Sequence, residues 1–302
     1  MSQQRRPIYG SSSRNLLARD LLKRDHMRVS RCLALLSAAL STACLTATPF
    51  ADDLDARGNV NARAIERIQA EPPTPDFKFV AIGDTHDAYD ETEAAVEAIN
   101  RRDDIRFVLH AGDLTDLSLN VEFERIHGIL SELDVPYIAV IGNHDAIATG
   151  PELYQNLYGQ RDFSFWFGKL KFIAFNSNAL EFPGEAPDEQ WLRAQHTDLQ
   201  PGERAIWLTH QDVTAPDGAN ATEAKALYAE LLQQNPVPLV VHGHLEAYEL
   251  QRYQTSTVLQ CGTFQKVFTY TVVSVFNYGE RFEFEKCFED ECVPVTPEEA
   301  VL

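Results

Sequence analysis

Five short clusters carry the side chains best suited to chemistry: Gly83-Asp84-Thr85-His86, Gly112-Asp113, Gly142-Asn143-His144-Asp145, Thr209-His210 and His242-Gly243-His244-Leu245-Glu246. Carboxylate oxygens and imidazole nitrogens gathered in one crevice can hold two divalent ions a few ångströms apart. That arrangement clamps both the attacking and the leaving oxygens of a phosphoryl displacement. Glycine ahead of an acid lets the backbone turn sharply off a strand, so that the side chains point into one crevice.

The elements that must position these clusters are legible around them. Phe77 to Ile82, Ile105 to His110 and Val135 to Ile141 are short, nearly continuous apolar runs, as buried strands are. Helical spacing fills the intervals over 91–101 and 119–133. Phe163 to Phe167 and Leu170 to Asn176 flank Gly168-Lys169 as a hairpin. A helix over 187–199, a strand over 205–209, a helix over 223–233 and a strand over 239–241 follow. The end of the chain turns all-β, over 257–261, 270–276 and 281–286. The class is α/β, and in open α/β sheets ligands bind beyond the carboxyl ends of the strands. Residues 1–51 read as an export region, 52–75 as a polar helix with a Pro-rich linker, 76–292 as one domain and 293–302 as a tail.

The ordered clusters resemble the calcineurin-like metallophosphoesterase superfamily, including the purple acid phosphatases, over roughly residues 77 to 265. The resemblance implies a four-layer αββα sandwich, two mixed β-sheets flanked by helices. It also implies two divalent ions, manganese, iron or zinc, and a phosphomonoester or phosphodiester substrate. Carried over, Asp84 and His86 hold the first ion, Asp113 bridges both, and Asn143, His210 and His244 hold the second. A hydroxide bridging the ions attacks phosphorus in line. His144 faces the leaving oxygen, and Asp145 is the candidate to orient its ring.

The last motif departs from the family. Either Gly243-His244 is the family's Gly-His and Glu246 takes the place of a histidine on the first ion, or His242 completes that site; the first alignment is preferred. Glu246 in that place leaves a site of about +1 rather than +2, which should hold a dianionic monoester less tightly. Gln211 stands where relatives often carry a second histidine. The competing function is a metal- or phosphate-binding protein that keeps the fold with a weakened first site. Among the other histidines, His110 reads as a packed group, and His127 and His196 as solvent-facing helix residues.

Composition narrows the partners. Residues 1–51 hold 8 of the 26 Lys and Arg and two of the 45 acids, leaving 18 bases against 43 acids in the rest. So acidic a body excludes a nucleic-acid surface. Behind Met27, which reads as the true start, Arg28 and Arg31 precede an apolar run from Cys32 to Ala47, a secretory signal too short for a confident membrane span. The product would be periplasmic or secreted, with a lipid anchor at Cys44 as an alternative to cleavage after Ala47 or Ala51. Cys287 and Cys292 could close a small disulfide loop there. Cys261 reads as a buried strand cysteine.

Overall fold

The computed structural model describes residues 54, 58–218 and 220–299; the export region and Cys44 lie outside them. Among the described residues no helix is long and apolar enough to cross a membrane.

Alternation of apolar side chains along short strands builds two sheets that share an interior. Phe77–Ile82 (β1), Ile105–His110 (β2) and Tyr137–Ala139 (β3) run parallel. Tyr270–Phe276 (β10) pairs antiparallel with β1, followed outward by Arg281–Phe288 (β11) and Glu291–Val295 (β12), in the order β12-β11-β10-β1-β2-β3. The second sheet contains Phe163–Phe167 (β4), Leu170–Ala174 (β5), Arg204–Leu208 (β6), Leu239–His242 (β7), Glu249–Tyr253 (β8), Ser256–Gln260 (β9) and Glu298–Glu299 (β13), ordered β13-β8-β9-β7-β6-β5-β4. Both sheets are mixed.

Residues one apart on a strand face opposite sides, which sorts the core into layers. Phe79 and Phe107 stack 5.6 Å apart, and Phe107 meets Phe172 of the second sheet edge-on at 5.4 Å, within the apolar layer between the sheets. Their neighbours Val80 and Val108 face outward against Tyr89–Asn100 (α2), Asn120–Leu130 (α3) and Gly150–Tyr158 (α4). Trp207 and Val240 of the second sheet face Glu189–Ala194 (α5) and Ala221–Gln234 (α6). The four-layer αββα sandwich expected from the sequence is the fold.

Three departures from the sequence reading have physical causes. Val60–Ala70 (α1) belongs to the domain rather than preceding it: the Asn61 side chain donates to the Ala139 carbonyl and accepts from its N–H, both at 2.9 Å, capping the free edge of β3. The helix expected over 187–199 stops at Ala194, because buried Lys171 takes the Gln195 carbonyl and the Asp198 carboxylate, both at 2.7 Å. The segment read as a tail supplies part of β12 and all of β13.

Candidate metal centre

The five clusters meet at the carboxyl ends of β1, β2, β3, β6 and β7, where the two sheets open against each other. Asp84, His86, Asp113 and His244 all have left-handed backbones, with φ of 52°, 46°, 53° and 73°. Such conformations cost non-glycine residues about 1–3 kcal/mol each and persist where the surroundings impose them. Two glycines are required here by closeness: a Cβ on Gly142 would lie 2.1 Å from Asp113 Oδ1, and one on Gly243 would lie 2.2 Å from Asp84 Oδ2.

Asp113 is the hub. Its Oδ1 accepts from the His144 N–H at 2.9 Å, while Oδ2 lies 3.3 Å from His210 Nε2 and 3.7 Å from His86 Nε2. Ligand atoms therefore fall into two groups that share Asp113, one with His86 and His144 and one with His210 and His244, each within 4.8 Å. Asn143 Oδ1 sits 2.9 Å from both His210 Nε2 and His244 Nδ1. Asp84 Oδ1 accepts from the His244 N–H at 2.8 Å, but its Oδ2 is buried with no partner. A buried carboxylate oxygen without a partner is costly, and a cation is what this donor set suits.

Electrostatics follow from the crowding. Burial pushes the Asp84 carboxyl well above its ordinary range, with Asp113 adding to it. Burial works the same way on Asp113, but His210 beside it outweighs that and holds the carboxyl at about 2. His210 is lifted to about 9, its desolvation overcome by Asp113. Burial lowers His86 and takes His110 down to about 3; His110 is a packed group, its Nε2 3.1 Å from Thr85 Oγ1.

Several expected roles are not matched by position. Asp145 does not touch the His144 ring: its buried carboxylate accepts the N–H groups of Leu114, Thr115 and Gly142 at 2.8 to 3.1 Å, and the Thr115 hydroxyl. His144 Nδ1 instead donates to the Asp116 carbonyl at 2.8 Å. Glu246 lines the cleft, but its exposed carboxylate pairs with Lys266 rather than joining His86 and Asp113. His242 does not take its place: it is buried, with Nδ1 on the Gly243 carbonyl and Nε2 toward Asp212 at 4.0 Å. His127 and His196 are not solvent-facing either; the first bonds the Tyr137 hydroxyl and the second is buried beside Trp207.

Sequence reasoning missed Asp116 and Asp217, whose Oδ2 lies 2.9 Å from His244 Nε2. Neither has a local signal: Asp116 acts through its carbonyl, and Asp217 sits in a Pro-Asp-Gly loop distant in sequence from His244. Cys287 and Cys292 are bonded, and burial pushes the Cys261 thiol up, away from nucleophilic use.

Two mixed sheets between helices, with histidines, carboxylates and an asparagine converging at their carboxyl ends, form a candidate metal centre with two ligand groups on an αββα sandwich. The family model of the calcineurin-like phosphoesterases matches residues 77–246, and the chain belongs to that family. The human serine/threonine-protein phosphatase CPPED1 is 30% identical over 152 residues, 42% of this chain and 48% of that protein; the chain thus matches about half the length of this relative. Among solved structures, a yellow lupin purple acid phosphatase superposes with a TM-score of 0.54 at 13% identity, covering 74% of this chain and 54% of its own. GAP50, the anchor in the inner membrane complex of Plasmodium, gives 0.53 at 12%, covering 74% and 90%. At these identities the two structures support the fold.

Proposed function

We propose that the protein is a metal-dependent phosphoric ester hydrolase. The observation that carries this reading is Asp113 Oδ2 set between His86 and His210, beside the unpartnered buried oxygen of Asp84. Asp84, His86 and Asp113 would hold one ion and Asp113, Asn143, His210 and His244 the other. Bound divalent ions supply Lewis acidity and bring the pKa of water toward neutrality. The chain's own part is to fix geometry and handle the proton. Asp113 and Asn143 are held by backbone turns rather than free loops, so the oxygens of a phosphoryl group meet preset positions. With Nδ1–H committed to the Asp116 carbonyl, Nε2 of the half-exposed His144 ring is left for the reaction, and in its doubly protonated form the ring can donate that second proton to a leaving oxygen.

Protein loaded with manganese or zinc should hydrolyse an activated aryl phosphate monoester or diester, and Asp113→Ala or Asn143→Ala should abolish turnover. A binding protein is the second reading, favoured by the absence of Glu246 and His242 from the first ligand group; retained ion and phosphate binding without turnover across several metals would establish it. We also propose export. The Arg-flanked apolar run behind Met27 supports it, as does the Cys287–Cys292 disulfide, which suits an oxidising compartment. Mass spectrometry of the mature N-terminus tests it: a start near residues 48–52 agrees, lipid on Cys44 selects the tethered form, and a start within 1–26 overturns it.

A further inference from the structure

With both histidines neutral, as a bound cation would require, the hydrogen bonds around Asn143 do not close within the protein. His210 donates Nδ1–H to the Ala111 carbonyl at 2.8 Å, which turns Nε2 toward Asn143 Oδ1 and Asp113 Oδ2, where either a second proton on the ring or a bound cation would sit. His244 has the mirrored arrangement: Nε2 lies 2.9 Å from Asp217 Oδ2, and Nδ1 faces the same Asn143 oxygen at 2.9 Å. Four possible ligand atoms from four residues thus converge, and each of the two histidines is directed inward by a partner on its far side. For His210 that partner is main chain, which no side-chain change can remove. For His244 it is one exposed carboxylate on a loop.

We infer that Asp217 is a positioning residue of this chain, which accepts Nε2–H of His244 and so keeps Nδ1 bare and turned toward Asn143 and Asp113. The inference rests on the metal-centre reading above. A carboxylate on the outer nitrogen of a ligating histidine fixes both its tautomer and the direction of the ring, and raises its basicity. The loop is itself anchored: the Asp217 N–H donates to the side-chain oxygen of buried Gln211 at 3.1 Å. Gln211, adjacent to His210, thereby ties the far side of His244 to the strand end that carries the other histidine. Gly218 follows with φ of 104° and backs onto Ala179 and the Leu180 backbone, a position where a Cβ would crowd both.

Zinc binding to the full chain, followed by competition with a chromophoric chelator, tests the assignment. Asp217→Ala should weaken the second ion about 10- to 100-fold while the first is held as before, and Asp217→Asn, whose carbonyl still accepts, should recover most of the loss. Gln211→Ala, which leaves the carboxylate but loosens its loop, should weaken the same ion by a smaller factor. The Asp217 side chain is 64% exposed, so unchanged thermal unfolding should accompany these losses. Nitrogen-15 NMR of the metal-free protein above neutral pH should show the Nε2–H tautomer of His244 in the wild type and a tautomer mixture in Asp217→Ala. Wild-type zinc affinity in Asp217→Ala, or the Nδ1–H tautomer in the wild type, overturns the assignment. If the wild type binds no second ion, the metal-centre reading fails, and the tautomer measurement alone decides the role of Asp217.

Discussion

Replacing Asp145 with asparagine separates two roles for this carboxylate. In the structure it ties the loop that carries Asp113 to the loop that carries Asn143, accepting from Leu114 and Thr115 on one side and Gly142 on the other. Oδ2 takes the Leu114 and Gly142 N–H groups, and Oδ1 takes the N–H and hydroxyl of Thr115. An amide keeps one oxygen. Its least costly orientation leaves that oxygen on Leu114 and Gly142 and sets the NH2 against Thr115, whose hydroxyl can rotate to accept while its N–H cannot. One buried N–H is then orphaned, at about 1–3 kcal/mol, and the remaining bonds lose their charge assistance, so the total is about 2–4 kcal/mol.

For a domain of this size that is a fall in Tm of roughly 4–16 °C. Calorimetry of the metal-free protein measures it without ion binding to compensate. Zinc affinity should fall with it, since both ligand loops lose their tie. A carboxylate acting on the His144 ring predicts the reverse: unchanged Tm, unchanged ion content and a shifted pH profile of kcat. That second pattern would refute the loop-tying role.

Glu246→Ala should leave the ion count per chain unchanged in elemental analysis, because the carboxylate sits on Lys266; a surface pair of this kind contributes about 0–1 kcal/mol, and loss of one ion would restore Glu246 as a ligand. Serine at both Cys287 and Cys292 should lower Tm by roughly 4–8 °C, from about 2 kcal/mol of chain entropy for so short a loop, with non-reducing mass analysis confirming the bond in the parent. Leu117, Ile147 and Leu245 are exposed on loops that follow the ligand-bearing strands, and Leu180 on the loop after β5. Leu245, which lines the cleft, should contact an apolar leaving group, and Leu245→Ser should raise KM for an aryl ester about fivefold, equivalent to roughly 1 kcal/mol of lost burial, with little change for an ester of a small polar alcohol.

Much of the centre was legible before the fold because each ligand cluster is contiguous: strand, turn and ligand follow within a few residues, and a strand end fixes where a nearby side chain emerges. Asp84, His86, Asp113, Asn143, His210 and His244 all meet, as their spacing implied. The strands were legible for a related reason, but a nearly continuous apolar run such as Phe77–Ile82 does not say which side chains face the other sheet, and the four-layer arrangement came from the resemblance to the family. Partners across the chain were decided only by tertiary structure. Asp145 reads as a neighbour of His144 in sequence, yet a 3-10 turn over His144–Ala146 sends its carboxylate to the backbone of Leu114 and Thr115, some 30 residues earlier. Glu246 has the spacing of a ligand, but the chain beyond Gly243 lays it against Lys266. Asp217 carries no motif at all and reaches His244 because sheet order places β6 beside β7, bringing the loop after one strand over the end of the next. Local pattern determines which backbone a residue rides and which way it leaves it; whom it meets depends on the pairing of strands far apart in sequence, which side-chain spacing does not encode.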